Sequence, residues 1–257
     1  MHKIKLMQGD CLEEMKNIPD RSVDMVCADP PYGTTACKWD SIIPLESMWD
    51  QLKRVVKKNG AIVMSASQPF TTTLIASNMK MFKYCWVWNK HLSGAFALAK
   101  KRPMIVTEDI CVFSYNTHNY FPIMTDAEEK NIRPINKGSS VSEATPVASG
   151  VAKSDKNYNP KKRYPKNILS YSKYNAECNQ VNRVHPTQKP VALIEYLIKT
   201  YTNKNETVLD FVMGSGTTGV ASKNLDRKFI GIELDEQYFK IAEKRISKSI
   251  VQQTLFE

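Results

Sequence analysis

Short apolar runs typical of β-strands alternate along this chain with amphipathic runs typical of α-helices. Such alternation predicts an α/β fold in which most strands of the central sheet run parallel. The helices then cover both faces of that sheet. The strands are predicted over residues 23–28, 61–64, 85–88, 109–113, 207–210 and 229–232. The helices are predicted over residues 44–58, 191–201, 217–225 and 236–249.

Glycine and proline indicate where several of these elements begin or end. Asn59-Gly60 places a glycine where helices commonly stop, so the helix over residues 44–58 is predicted to end there. Gln68-Pro69 predicts the start of another helix, and Pro190 lies at the first turn of the helix over residues 191–201.

The alternation fails between residues 116 and 184, where Asn, Pro, Ser, Lys and Tyr are frequent and apolar periodicity is weak. A loop of this length without structure is unusual inside a compact domain. We therefore predict one α/β domain made of residues 1–115 and 185–257. Residues 116–184 form a small inserted module or a mobile binding segment.

The chain carries a strong positive charge. Its 257 residues have a formal net charge of +10 and a pI near 9.2. This excess suits a polyanionic partner, because each neutralised phosphate releases counterions, although it also fits a purely solubilising role.

Cysteine usage and hydropathy exclude several classes of protein. The six cysteines are scattered without a C-x-x-C pair, so we expect neither disulfides nor a zinc site. No apolar run reaches the length of a membrane span, and the first ten residues lack the apolar core of a signal peptide. We expect no membrane association and a cytoplasmic location.

A glycine-rich motif follows the predicted strand that ends at Asp210. It consists of Gly214, Ser215, Gly216, Thr217, Thr218 and Gly219. Glycines there let the backbone approach a ligand, and the following helix N-terminus favours negative charge. Glu233, at the end of the next strand, is placed to accept hydrogen bonds from ribose hydroxyls. The pattern also fits NAD or FAD sites, but only one strand and one helix follow, which favours a single-nucleoside cofactor.

A second motif, Asp29-Pro30-Pro31-Tyr32, follows the predicted strand over residues 23–28. Elsewhere it could be a Pro-Pro turn capped by an aspartate. At a strand end of an α/β sheet, where ligands bind, it indicates a functional site.

With these two motifs the chain resembles the DNA amino-methyltransferases, in particular the permuted class whose catalytic motif precedes the cofactor loop. The resemblance covers nearly the whole chain outside the irregular middle. It is carried by residues 9–11, 29–33, 185–190, 210–218 and 231–235. It implies a Rossmann-like S-adenosylmethionine-dependent methyltransferase fold and methyl transfer to the N6 amine of adenine in a flipped-out base. S-adenosylhomocysteine is then the product, and no metal is needed.

The resemblance also implies residue roles. Asp29, Pro30, Pro31 and Tyr32 are the catalytic residues. The cofactor-binding residues are Asp10, Lys189, Asp210, Phe211, Gly214, Ser215, Gly216, Thr217, Thr218 and Glu233. Lys189 is expected beside the methionine carboxylate, whereas His185 is expected to be structural. Asp10 could equally cap a helix, and Lys189 could be solvated. The family usually has Asp-Pro-Phe before the glycine loop, and the shift of the aromatic to Phe211 puts its cofactor contact in question.

The chemistry accounts for these residue types. An exocyclic amine is a weak nucleophile because its lone pair is delocalised into the ring. Acceptors aimed at its protons, here the Asp29 carboxylate and the Pro30 carbonyl, localise that lone pair. The prolines fix the backbone that presents these acceptors, and Tyr32 offers a face for stacking the base.

The irregular middle is the predicted target-recognition segment. Basic residues interleaved with tyrosines suit phosphate and base contacts, although a solvated charged loop is the alternative. The predicted DNA-binding residues are Lys161, Lys162, Arg163, Lys166, Lys173 and Arg183. The expected partners are double-stranded DNA, a second copy of the chain and a cognate restriction endonuclease.

Several alternatives stay open at this point. Asp before Pro-Pro-Tyr favours adenine as the methylated base. The competing interpretations are methylation of cytosine N4, of RNA or of a protein glutamine, and a non-catalytic DNA-binding role. Cytosine C5 chemistry is not expected, because the catalytic loop has no Pro-Cys.

Overall fold

The structure, a computed structural model, describes residues 3–34, 40–93, 99–128, 159–172 and 188–249. The chain divides into two compact units, one of Met1–Phe121 with Asn167–Glu257 and one of Pro122–Lys166. In the described residues, no helix is both long and apolar enough to cross a membrane. The described cysteines Cys11, Cys27, Cys85 and Cys111 are free thiols.

The strands of the described residues follow one another along the chain as listed here. They are β1 (Ile4–Gln8), β2 (Val23–Ala28), β3 (Val56–Ala66), β4 (Phe82–Asn89), β5 (Thr107–Phe113), β6 (Thr125–Asp126), β7 (Lys162–Arg163), β8 (Ile168–Ser170), β9 (Thr207–Asp210) and β10 (Lys228–Glu233). The first unit contains a sheet with the order β1-β10-β9-β2-β3-β5-β4-β8. In the second unit, β6 pairs antiparallel with β7.

Most neighbours in the large sheet are parallel, as predicted. The pairs from β1 through β10, β9 and β2 to β3 all run parallel, whereas β5 is antiparallel to both β3 and β4. The carboxyl ends of the parallel strands therefore meet at one edge. Because β5 runs the other way, its first residues lie at that same edge.

Helices cover both faces of this sheet. They are α1 (Cys11–Glu14), α2 (Leu45–Val55), α3 (Phe70–Ser77), α4 (Val191–Tyr201), α5 (Thr217–Asn224) and α6 (Glu236–Lys248). Alternate residues of β2 belong to two hydrophobic clusters. Val26 packs in the cluster that includes residues of α2 and α3, and Cys27 in the cluster that includes residues of α4, α5 and α6. Such alternation is expected for a strand buried on both faces.

The predicted end of the helix over residues 44–58 is wrong. α2 stops at Val55, and the chain enters β3 at Val56. Gly60 lies inside that strand, where an added Cβ would be 2.8 Å from the Asp24 carbonyl oxygen. The glycine permits a close approach of β2 and β3 and does not end a helix. β1 and β8 were not among the predicted strands, and β8 lies within the segment predicted as the insert.

Candidate active site

The two sequence motifs lie at the ends of neighbouring strands. β2 pairs with β9, so Asp29 follows one strand and Asp210 ends the next one in the sheet. From β9 the chain continues to β10 on one side, and from β2 it continues to β3 on the other. A reversal of this kind opens a crevice at the carboxyl ends, where open α/β sheets bind ligands.

A cleft of about 900 Å³ occupies this position in the first unit. Tyr32 and Gly214 both border it. The predicted site residues that line it are Asp10, Asp29, Pro30, Pro31, Tyr32, Lys189, Asp210, Phe211, Gly214, Ser215, Thr217, Thr218 and Glu233. One cavity is therefore shared by the catalytic motif and the glycine loop.

Asp29 is held by a network of charged side chains on its side of the cleft. Its Oδ1 accepts a hydrogen bond from the Tyr32 hydroxyl at 2.7 Å, and its Oδ2 lies 2.7 Å from Lys189 Nζ. The Tyr32 hydroxyl also lies 3.2 Å from Glu108 Oε1. Burial, with the two carboxylates adding to it, raises the pKa of Tyr32 well above its ordinary value, so Tyr32 is a neutral donor.

The loop after Pro31 is fixed by Asp40. The Asp40 carboxylate accepts hydrogen bonds from the backbone amides of Tyr32, Gly33 and Thr34 at 2.8 to 2.9 Å. The Tyr32 ring also stacks on Phe70, with ring centroids 5.3 Å apart. These contacts hold Tyr32 in one orientation and support one of its faces.

The glycine loop combines an open turn with a packed helix start. Gly214 has a φ of 51°, and an added Cβ there would meet no atom within 4 Å. Gly216, with a φ of 81°, differs, because an added Cβ would lie 2.9 Å from the Ala242 Cβ. Gly214 thus leaves room for a ligand, while Gly216 lets α5 pack against α6. Arg245 donates hydrogen bonds to the backbone oxygen and the hydroxyl of Ser215.

Two carboxylates flank this loop. Glu233 accepts hydrogen bonds from the backbone amides of Gly214 and Asp235 at 2.7 and 2.9 Å. A carboxylate offers about four acceptor positions, so Glu233 retains capacity for ligand hydroxyls. Burial raises the pKa of Glu233 above its ordinary value. Burial also raises the pKa of Asp210 to about 7, against the hydrogen bond that its carboxylate accepts from the Thr218 hydroxyl at 2.6 Å.

Three predicted cofactor residues have structural partners of their own. Asp10 caps α1, because its side chain accepts hydrogen bonds from the amides of Leu12 and Glu13. The Phe211 side chain is fully buried in the core, although the residue borders the cleft. Lys189 Nζ pairs with the carboxylates of Asp29 and Glu108. Cofactor contacts by these three residues remain predictions.

The predicted DNA-binding residues are only partly described. Lys161 and Lys166 of the second unit are exposed, and Lys162 pairs with Asp126 at 2.7 Å. Arg163 donates to the backbone oxygens of Pro160 and Lys162. Lys173, Arg183 and His185 lie outside the described residues.

Sequence reasoning missed Asp40, Trp88, Lys90 and Glu108, all of which line the cleft. Lys90 Nζ lies 3.5 Å from Glu108 Oε2, and the ammonium groups of Lys90 and Lys189 lie 5.9 and 5.7 Å from the centroid of the Trp88 ring. Glu108 directly precedes a predicted strand, but only the antiparallel direction of β5 brings it to this edge. Among the described residues, no group of His, Cys, Asp and Glu side chains could hold a metal ion.

Comparisons with known proteins agree with this geometry. A family model described as DNA methylase matches residues 23–244. The DNA adenine methyltransferase YhdJ of Escherichia coli (strain K12) is 30% identical over 257 residues, an alignment that covers 94% of this chain and 82% of that protein. The type II methyltransferase M1.MboII of Moraxella bovis is 28% identical, with 91% of this chain and 93% of that protein covered. The crystal structure of the M1.HpyAVI–SAM complex is similar with a TM-score of 0.63 and 27% identity, covering 95% of this chain and 98% of that one.

Proposed function

The chain belongs to the DNA methylase family, and we propose that it transfers a methyl group from S-adenosylmethionine to the N6 amine of adenine in double-stranded DNA. The observation that carries this proposal is the single cleft bordered by Asp29, Tyr32 and Gly214. Asp29 before Pro-Pro-Tyr supports adenine over cytosine, and so does the name of the Escherichia coli relative.

The residues at the β9 and β10 ends suit a nucleoside cofactor. Glu233 would accept hydrogen bonds from the ribose hydroxyls, and the open turn at Gly214 would leave room for the methionine part of the cofactor. When bound, S-adenosylmethionine supplies an electrophilic methyl group on a sulfonium. These residues would hold the cofactor in the cleft that Asp29 also lines.

Asp29 is the acceptor for the target amine. Tyr32 and Lys189 occupy two of the roughly four acceptor positions of its carboxylate, which leaves acceptor capacity for an amine proton. The Pro30 carbonyl is the second acceptor. The face of Tyr32 away from Phe70 stacks the base, and such stacking contributes about 1–3 kcal/mol. The base must leave the duplex to reach this cleft, at a cost of roughly a few kcal/mol.

The basic residues of the second unit are proposed to hold DNA phosphates. Lys161 and Lys166 are exposed and so are accessible to such a partner. A homodimer and a partner restriction endonuclease are further proposals, which rest on the resemblance alone. A cytoplasmic location is a proposal that rests on the hydropathy of the sequence.

Digestion of methylated DNA to nucleosides tests this function directly. Unmethylated double-stranded DNA is incubated with the protein and S-adenosylmethionine, and the products are separated and identified by mass. We expect methylated deoxyadenosine, with a matched RNA remaining unmodified. N4-methyldeoxycytidine alone, identified by co-elution with a standard, would select the cytosine N4 alternative. The absence of any methylated nucleoside would refute the proposal.

A further inference from the structure

The ammonium group of Lys189 lies between two carboxylates. Its Nζ is 2.7 Å from Asp29 Oδ2 and 2.7 Å from Glu108 Oε1. The side chains of Lys189 and Glu108 are only 8% and 11% exposed, whereas that of Asp29 is 31% exposed and faces the cleft. All three residues line the cleft, and Lys189 and Glu108 are more deeply buried there than Asp29.

We propose that Lys189 and Glu108 form a positioning pair that keeps the Asp29 carboxylate ionised and aimed at the target amine. This inference rests on the proposed function, in which Asp29 is the amine acceptor. It gives Lys189 a role toward the target base in place of the expected role beside the methionine carboxylate.

The two carboxylates share more than the lysine. The Tyr32 hydroxyl lies 2.7 Å from Asp29 Oδ1 and 3.2 Å from Glu108 Oε1, so both acids converge on one donor. Two carboxylates this close repel each other, and without a cation one of them takes up a proton. A protonated Asp29 loses acceptor capacity for an amine proton. Lys189 prevents this by placing a positive charge between the two carboxylates.

The other groups around Asp29 do not replace Lys189. Cys27 is a neutral thiol, because burial raises its pKa. Asp210, on the neighbouring strand, is a further acid, and Glu233 lies beyond it. Lys90 pairs with the far oxygen of Glu108 at 3.5 Å. Within the described part of the chain, Lys189 is the cation that contacts Asp29.

The direction of the pKa shift in each partner agrees with this arrangement. Burial lowers the pKa of Lys189, but the two carboxylates outweigh it and raise that pKa above its ordinary value. Burial raises the pKa of Glu108, but Lys189 and Lys90 outweigh it and lower that pKa. The charged forms of Lys189 and Glu108, which make the ion pair, are thus both favoured.

The test compares Lys189→Met with the double variant Lys189→Met/Glu108→Gln. In Lys189→Met the acid limb of the kcat–pH profile is expected to move up by about 1–3 pH units, the range for a carboxyl that loses an opposite charge. The Kd for S-adenosylmethionine should stay near the wild-type value. The double variant, which also removes the second carboxylate, should return the limb toward the wild-type position.

Lys57→Met is the matched control. It removes a lysine that pairs with Asp24 at 2.6 Å outside the cleft, and it should leave the profile unchanged. An unshifted profile in Lys189→Met, with S-adenosylmethionine binding weakened instead, would overturn the proposal in favour of a cofactor role.

Glu108→Gln keeps the inference testable if Lys189→Met does not fold. Loss of the neighbouring negative charge should move the acid limb to lower pH, and no movement or an upward movement contradicts the pairing. Failure of the proposed function is recognised separately, because wild-type protein would then give no methylated adenine. Even in that case, infrared spectroscopy reports the protonation of Asp29 without turnover. The carbonyl band of a protonated acid should be present in Lys189→Met and lost in Lys189→Met/Asp29→Asn. Absence of that band at a pH within the shifted acid limb contradicts the inference.

Discussion

Asp210 carries a carboxyl group that the fold buries at the end of β9. Burial raises its pKa to about 7 from 3.8, against hydrogen bonds from the Thr218 hydroxyl and the Val212 amide that favour the ionised form. A carboxyl with a raised pKa in the folded state favours folding only while it is protonated. Its contribution is complete below pH 3.8, and it is lost as the pH rises through 7.

Asp210→Asn removes this titration. A pKa difference of about three pH units corresponds to about 4 kcal/mol in the free energy of unfolding. The stability of the variant relative to wild type should therefore increase by about 2 kcal/mol between pH 5.5 and 8.5 and level off above that range. Any constant cost of the amide, such as its altered bond to Thr218, does not depend on pH and leaves this change unaffected.

Urea unfolding of both proteins at four pH values and fixed ionic strength measures the difference. Thr218→Val is the matched perturbation, because it removes a hydroxyl that donates to Asp210 at 2.6 Å. It should steepen the loss of stability with pH in wild type but not in the Asp210→Asn background. A difference between Asp210→Asn and wild type that is constant across the range would refute the assignment of a raised pKa to Asp210.

Three further predictions concern the loops and the charged surface. Gly216→Ala should lower the free energy of unfolding by about 1–3 kcal/mol, because the added Cβ meets Ala242. Gly214→Ala should cost less stability but weaken S-adenosylmethionine binding. Chemical unfolding measures the first effect and calorimetric titration the second. Asp40→Ala should lower kcat at least about tenfold with the fold retained, since three backbone amides that hold Tyr32 lose their acceptor; steady-state kinetics and circular dichroism check this. Alanine at four basic residues should weaken DNA binding, as measured by fluorescence anisotropy. The slope of the logarithm of the binding constant against the logarithm of the salt concentration should become shallower by up to about 0.9 per lost phosphate contact. These residues are Lys161, Lys162, Arg163 and Lys166.

Sequence periodicity was sufficient for the elements with a strong apolar signal. β2 and α4 follow the predicted bounds, because β2 is apolar apart from Asp24 and α4 repeats apolar residues at helical spacing. Gly60 was misinterpreted because glycine serves both helix ends and close strand contacts, and only the position of Asp24 in the neighbouring strand distinguishes them. β1 is short, with only Met7 buried, and gave no comparable signal.

The candidate site was predictable where chemistry is concentrated in a local motif. Asp29, Tyr32 and Gly214 meet in one cleft as the strand-end argument predicted. Glu108 and Asp40 could not be predicted, because their roles depend on the antiparallel direction of β5 and on hydrogen bonds between Asp40 and backbone amides six to eight residues earlier. For Asp10, the short motif could not distinguish a cofactor-binding role from a helix-capping role. In the structure its side chain caps α1.

Asp29→Ala tests most directly whether Asp29 acts on the target amine while other residues of the cleft bind the cofactor. Calorimetric titration with S-adenosylmethionine and a single-turnover methyl-transfer assay are performed on the same preparation. The variant should bind S-adenosylmethionine within a few-fold of wild type, because Glu233 and the Gly214 turn are intact, while the transfer rate falls by at least about 100-fold. Methyl transfer at the wild-type rate would contradict the assignment of Asp29 as the amine acceptor, and so would a parallel loss of cofactor binding.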